Sequence, residues 1–202
     1  RNIILDCARG VGFGLGSDGN HRLYSPDPLA GSGVIAGHIG GMVRNNFIFS
    51  NIGEYYDSGV SLEQAWGAKV EHNTIYSAAG SYNVAIDARY SFTNAVLRNN
   101  LFYPRLSSRD GASPTSLGNV EAEASFFVNL NNGDLHLQQN ASAVINKGNL
   151  TTEVSDDIDA GPRDSAPDVG ADEYGSSDNN PPDPAPSIPQ NLRFRGLGSV
   201  EK

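Results

Sequence analysis

Apolar and polar residues alternate along this chain in short runs, and the runs recur. Val43-Arg44-Asn45-Asn46-Phe47-Ile48-Phe49, Val70-Glu71-His72-Asn73-Thr74-Ile75-Tyr76 and Leu97-Arg98-Asn99-Asn100-Leu101-Phe102-Tyr103 share one order of apolar, polar and Asn positions. Asn46, Asn73 and Asn100 stand 27 residues apart. A fixed period of this length marks a stacked repeat, in which each unit buries its apolar face only against its neighbours.

Carried backwards, the pattern gives a fourth copy at Asn2-Ile3-Ile4-Leu5. The gap to Asn46 is 44 residues, so about 17 extra residues lie in that turn. Residues 17–33, rich in Gly, Pro, Asp and Ser, have the composition of a protruding loop. A second strand recurs between the asparagines. Gly10-Val11-Gly12-Phe13, Gly59-Val60-Ser61-Leu62 and Asn83-Val84-Ala85-Ile86 alternate as half-buried strands do, with Val11, Val60 and Val84, then Phe13, Leu62 and Ile86, pointing inward. A third strand precedes each Asn and turns Val43, Val70 and Leu97 inward. Three short strands per turn, repeating at about 27 residues, predict a parallel β-helix whose turns pair in register about 4.8 Å apart. No 3.6-residue period is sustained, and β-branched and aromatic residues fill the repeats, which excludes a helical solenoid.

The period and the aligned asparagines resemble those of the right-handed parallel β-helix proteins of the pectin-lyase-like superfamily. That resemblance implies an all-β fold in which stacked asparagines line an inner corner, each amide bonding those above and below. Asn2, Asn46, Asn73 and Asn100 match such a ladder. After Pro104 the period fades, and residues 106–175 are expected to form irregular last turns and a cap over the open end of the stack. The DVGADEYG string that closes this stretch resembles the ends of β-helix domains in predicted secreted bacterial proteins. Residues 1–175 are thus expected as the β-helix domain, with upstream turns missing because the chain starts inside a strand. Residues 176–189 read as an extended Pro-rich linker. Residues 190–202 resemble the opening strand of a fibronectin type III module. Together these imply a modular parent that is extracellular or on the cell surface.

The net charge of −9 is unevenly spread. Residues 1–150 hold 12 acids and 10 bases, whereas residues 151–187 hold 10 acids and one base, Arg163. No basic stripe exists to displace counterions, which argues against a nucleic-acid partner. No run is long enough to span a membrane. Cys7 is the single cysteine, so an internal disulfide is excluded; it reads as a small core residue.

The repeat alignment also stacks outward side chains. Glu63 is expected to lie beside Asp87 on adjacent turns, with Arg89 two residues further along. Like charges that close need a cation, a proton or an arginine. Either Arg89 simply neutralises both acids on a solvated face, or the three form a site. The superfamily resemblance then implies Ca²⁺ held by Glu63 and Asp87 against a uronate, with Arg89 or His72 as base and the acids alternatively as catalytic acid. His38, Trp66 and Tyr90, with Tyr55, Tyr56 and Tyr82, are candidates to border a sugar-binding groove. Arg44, Glu71 and Arg98 read as a cross-strand ion ladder, and Asn45, His72 and Asn99 as the column beside it. Asp157-Ile158-Asp159-Ala160-Gly161 has the spacing of a plain turn or a calcium loop.

Two functions remain open on the sequence. One is a carbohydrate-directed domain, a polysaccharide lyase or hydrolase or a polysaccharide binder. The other is a non-catalytic surface, filament or adhesin module that associates end to end or with an upstream part of its precursor.

Overall fold

The computed structural model describes residues 1–17, 25–52, 56–77 and 82–176. The rest of the expected linker beyond Ser176, the fibronectin-like strand, Tyr55 and the middle of the long loop lie outside the described residues. Tyr56 lies in a strand, but its side chain is among those not described. The strands are β1 (Ile3–Leu5), β2 (Arg9–Phe13), β3 (His38–Ile39), β4 (Met42–Arg44), β5 (Phe47–Ser50), β6 (Tyr56–Glu63), β7 (Ala65–Glu71) and β8 (Thr74–Ser77). They continue as β9 (Tyr82–Arg89), β10 (Asn94–Arg98), β11 (Leu101–Tyr103), β12 (Leu106–Arg109), β13 (Thr115–Leu117), β14 (Val120–Glu121), β15 (Phe127–Asn129) and β16 (Asp134–Leu137).

Three parallel sheets each take one strand from every turn. The first runs β1-β5-β8-β11-β14 and the second β2-β6-β9-β12; in the third, β3 and β4 both pair with β7, which is followed by β10 and β13. The chain is therefore all-β with stacked parallel sheets, an arrangement compatible with a parallel β-helix. No helix among the described residues is long and apolar enough to cross a membrane.

The asparagine ladder is present. The Nδ2 of Asn2 donates to Asn46 Oδ1 at 2.9 Å, Asn46 to Asn73 at 2.8 Å and Asn73 to Asn100 at 3.0 Å. A fifth rung, Asn119, accepts from Asn100 at 2.8 Å. Asn73 Nδ2 also donates to the carbonyls of Val43 and Glu71, so an amide sealed from water leaves no donor idle. Before each of the last four rungs stands a residue with left-handed backbone: Asn45, His72, Asn99 and Gly118, with φ of 51, 51, 52 and 61°. That conformation turns the corner, and Asn, His and Gly are residue types that tolerate it.

Between the sheets lies a core of Val43, Ile48, Val60, Leu62, Val70, Ile75, Ile86 and Leu97. Val43, Val70 and Leu97 pair in register as the repeat predicts. In the second sheet Val11 faces Val60 and Phe13 faces Leu62 as expected, but the pairing of β6 with β9 is two residues off. Val60 lies opposite Ile86, Ser58 opposite Val84, and Glu63 opposite Arg89. The strands pair at an offset of 26 residues, close to the period, whereas matching Val84 to Val60 by apolar pattern implies 24; the corner before each strand shifts the pairing by one residue from 27. Five residues separate β5 from β6 and one separates β6 from β7, whereas four and four separate the corresponding strands of the next turn.

The last turn, β11 to β14, is shorter than its predecessors, and residues 122–176 do not cover the end of the stack. Thr115, Ser116 and Leu117 of the terminal strand β13 are all exposed. The segment instead folds back along the outer face of the first sheet, where Phe47, Phe49, Tyr76 and Leu101 meet Phe126, Phe127, Leu135, Leu137, Val144 and Val169 in a second core. This is why β5 and β8 are buried at every position. Arg163 pins the segment. Its guanidinium pairs with Glu173 at 3.0 Å and donates to the carbonyls of Asp156, Gly170 and Ala171 and to Asn45 Oδ1.

Candidate functional site

The outer face of the second sheet carries the charges that the repeat alignment singled out, but in different pairs. Glu63 and Asp87 are not register neighbours, because the two-residue shift puts Arg89 opposite Glu63 and Ser61 opposite Asp87. Glu63 is 4% exposed. One of its oxygens accepts from Ser61 Oγ at 3.2 Å and lies 3.4 Å from Arg9, and the other accepts from the Gly16 backbone N–H. Arg9 also holds Asp57. Asp87, 2% exposed, accepts a two-pronged contact from Arg109, at 3.1 Å from Nε and 2.7 Å from Nη2. Arg89 donates through Nε to Asp110 at 2.8 Å.

Calcium between Glu63 and Asp87 does not fit this arrangement. The two carboxylates are not opposite each other, and each is already matched by arginine, hydroxyl or backbone donors. Nor does Arg89 suit a base. Burial pulls its pKa down, but the hydrogen bond to Asp110 together with the charges of Asp110 and Tyr90 more than offsets this, and the net shift is upward. A general base needs an accessible lone pair near the substrate.

His72 lies elsewhere, beneath the segment that includes Gly170 and Asp168, and is wholly buried. Asn99 Nδ2 lies 2.8 Å from its Nε2, so that nitrogen accepts and the ring is neutral. Burial is the main reason its pKa falls to about 3, and the Arg163 charge adds to the shift. The other expected groups are dispersed. His38 pairs in register with Ala65, and its ring stacks on Phe13 at 4.1 Å. Trp66 is partly exposed on β7 of the third sheet. Tyr82 is buried and donates its hydroxyl to the Cys7 carbonyl at 2.8 Å, sealing a turn. Cys7 itself is exposed, not a core residue.

Tyr90 remains with Arg89 and Arg109 at the corner that ends β9. The Arg89 guanidinium sits 4.6 Å from the Tyr90 ring centre. Tyr90 has φ of 67°, a left-handed conformation that costs a bulky residue roughly 1–2 kcal/mol. The residues that follow the register partners of Arg89 on the adjacent turns, Gln64 and Asp110, are left-handed too, with φ of 52 and 56°.

The ion ladder is half made. Arg44, Glu71 and Arg98 share a register, but Arg44 pairs with Asp156 at 3.0 Å, leaving Glu71 with Arg98 at 3.7 Å. The Asp157 loop is a turn, its carboxylate accepting from the backbone N–H groups of Asp159 and Gly161.

A cluster that the repeat gave no hint of lies in the C-terminal segment. His136, Asp159 and Asp172 each aim a ligand atom into one place, all within 4.8 Å of one another. They border a cavity of about 290 Å³ with Val128, Asp134 and Tyr174. Burial lowers the affinity of His136 for a proton, but hydrogen bonds to Asp134 and Asp159 more than offset this and raise its pKa to about 10. Burial lifts Asp172 to about 6. Their separation along the chain, with no shared period, hides the grouping; the one visible cue is Asp134-Leu135-His136, which sets Asp and His on one face of a strand.

Comparison with known proteins finds no matching family model, no matching curated protein and no matching solved structure.

Proposed function

We propose that this chain is a right-handed parallel β-helix domain of the pectin-lyase-like kind, working outside the cell or at its surface, and that it binds an anionic polysaccharide without cleaving it. The observation that carries this reading is the corner bearing Arg89, Tyr90 and Arg109. Carboxylates hold both guanidinium groups in place, and the Arg109 side chain is 47% exposed. A guanidinium has five N–H donors in a fixed fork, suited to a uronate carboxylate or a sulfate. A tyrosine kept where glycine would be less strained supplies a flat face for a sugar ring. Binding is favoured over turnover because Glu63 and Asp87 are buried and paired, and His72 is sealed.

The test is affinity electrophoresis and calorimetry against polyuronates, sulfated glycans and neutral glucans. Anionic glycans should retard the protein, and Arg109→Gln should weaken binding about tenfold. Tyr90→Gly is the sharper variant: it should weaken binding while the melting temperature holds or rises, because the corner strain is relieved. Indifference to every glycan would end the proposal, and release of unsaturated or reducing ends would replace binding with catalysis.

One feature favours a second reading, a structural module that associates end to end. The edges of β12 and β13 border an open groove of about 310 Å³, lined by Leu97, Leu106, Ser107 and Ser116. Unpaired parallel edges are templates for another chain. Light scattering that shows concentration-dependent growth, abolished by Ser116→Pro, would support it; a monomer at all concentrations would not.

A further inference from the structure

We propose that His136, Asp159 and Asp172 form a binding site for a zinc-class divalent metal that ties β16 to the C-terminal segment. The three residues come from parts of the chain that meet only in the folded state, and their ligand atoms lie within 4.8 Å of one another. Zinc binds nitrogen and oxygen donors at about 2.0–2.2 Å in a tetrahedron, so neighbouring donors stand roughly 3.4 Å apart. Small side-chain adjustments bring all three into range, and the cavity of about 290 Å³ leaves room for a water as fourth ligand.

Two further features point to a cation. Asp172 is 7% exposed and its Oδ2 accepts from the Leu137 N–H at 2.7 Å, but among the described residues no donor is bonded to Oδ1. A carboxylate oxygen that lines a cavity without a donor is an open ligand position. His136 is also held from behind. Its Nδ1 meets the Asp134 carboxylate, and its Nε2 faces Asp159 at 2.9 Å. A carboxylate on the far nitrogen is the usual support for a metal-bound imidazole, fixing its tautomer and raising its basicity. Without a metal, a proton on Nε2 bridges the ring to Asp159; a metal replaces that proton.

Charge favours the exchange. Asp134, Asp159 and Asp172 act on a single imidazole, while Arg163 is engaged by Glu173 and backbone carbonyls. A protonated histidine supplies one positive charge and a divalent ion supplies two. The imidazole decides the class of metal. Calcium takes six to eight oxygens and magnesium favours oxygen and water, whereas one nitrogen with two carboxylates suits zinc and its transition-metal neighbours. Bound there, the ion would clamp the segment that covers the first sheet, a structural role separate from any glycan binding.

The test is calorimetric titration of the full chain, freed of metal with a chelator, with Zn²⁺ and in parallel with Ca²⁺. One Zn²⁺ per chain is expected, together with a rise in melting temperature. Asp159→Asn, a partly exposed position whose change spares the core, should weaken zinc binding at least tenfold, as should His136→Gln. Asp134→Asn, one shell back, should cost about 10–100-fold. Glu63→Gln, on the other face, should leave it unchanged. The proposal is overturned if Zn²⁺ does not bind, if Asp159→Asn and His136→Gln bind it as the parent does, or if Ca²⁺ binds more tightly than Zn²⁺ and is indifferent to His136→Gln.

Discussion

Residues 1–121 bury their side chains against copies of the same motif one turn away, whereas residues 122–176 bury theirs against surfaces that occur once. In the coil each rung repeats its neighbour's bonds. Four amide contacts run in line from Asn2 to Asn119, and backbone ladders join every strand to the next turn. Such a stack spreads its stability over many nearest-neighbour contacts. The segment has one antiparallel strand pair, β15 with β16, one isolated bridge between Asp156 and Pro162, and scattered backbone bonds, to which side chains that reach backbone groups add. Asp168 accepts from the N–H groups of Asn146 and Tyr174, Glu173 from those of Asp164 and Asp168, and Arg163 donates to oxygens of Asn45, Asp156, Gly170 and Ala171. Repetition distributes the load, while irregular structure concentrates it on a few residues.

Removing Arg163 should therefore produce the largest effect. Arg163→Ala strips a buried ion pair, leaving the Glu173 carboxylate without its cation and the Gly170 carbonyl without its guanidinium donor, a change that costs about 3–5 kcal/mol. Hydrogen exchange should show the loss confined to residues 122–176 while the coil amides stay protected. Uniform loss across the chain would mean that the two regions fold as one cooperative unit.

Asn73→Ala cuts the ladder at its centre. The amide accepts from the Asn46 backbone N–H at 3.2 Å and donates to three partners, so its loss strands groups on both adjacent turns. A cost of about 3 kcal/mol is expected, since each buried group left unpaired costs about 1–3 kcal/mol. Chemical denaturation should show it as a lower midpoint with an unchanged slope. Asn2→Ala, at the outermost rung with one amide contact, should cost well under half as much. Equal costs at Asn2 and Asn73 would show that position in the stack is irrelevant.

The same contrast explains what the sequence could reveal. Asn46, Asn73 and Asn100 announce the first and third sheets because the stretch from the third strand through the corner to the next strand keeps one length in every turn. In the second sheet β2 pairs with β6 as expected, but the apolar pattern makes Val84 look like the partner of Val60 when it faces Ser58. That displacement separated Glu63 from Asp87 and removed the expected calcium site. Asn119 escaped notice because its turn spans 19 residues, although Gly118-Asn119 repeats the pairing of a left-handed residue with a ladder Asn. The side-on docking of residues 122–176 and the His136 cluster have no periodic signature. Contacts between unique segments are set by shape and by single hydrogen bonds, which leave no pattern to read along a chain.

Glu71 marks the place where the repeat works against the coil, and it sharpens the comparison at the smallest scale. Its register slot sets it between Arg44 and Arg98, but Arg44 turns to Asp156 of the segment. The carboxylate is fully buried, accepts no hydrogen bond among the described residues, and has Arg98 at 3.7 Å as its ion-pair partner. Burial is the main cause that raises its pKa above the usual value, against the pull of Arg98. The folded chain therefore holds this proton more tightly than the unfolded one. The associated stability is complete below the ordinary glutamate range and is lost as pH rises through the elevated value. Glu71→Gln keeps the shape without the charge. It should match the parent in acid and exceed it at pH 8 by about 1 kcal/mol, since an uncompensated buried charge is often costlier than a neutral replacement. Melting curves from pH 4 to 8 provide the check. A variant less stable than the parent at pH 8 would show that the single contact with Arg98 outweighs the burial of the charge, and that the coil gains from a ladder even when the segment has taken one of its rungs.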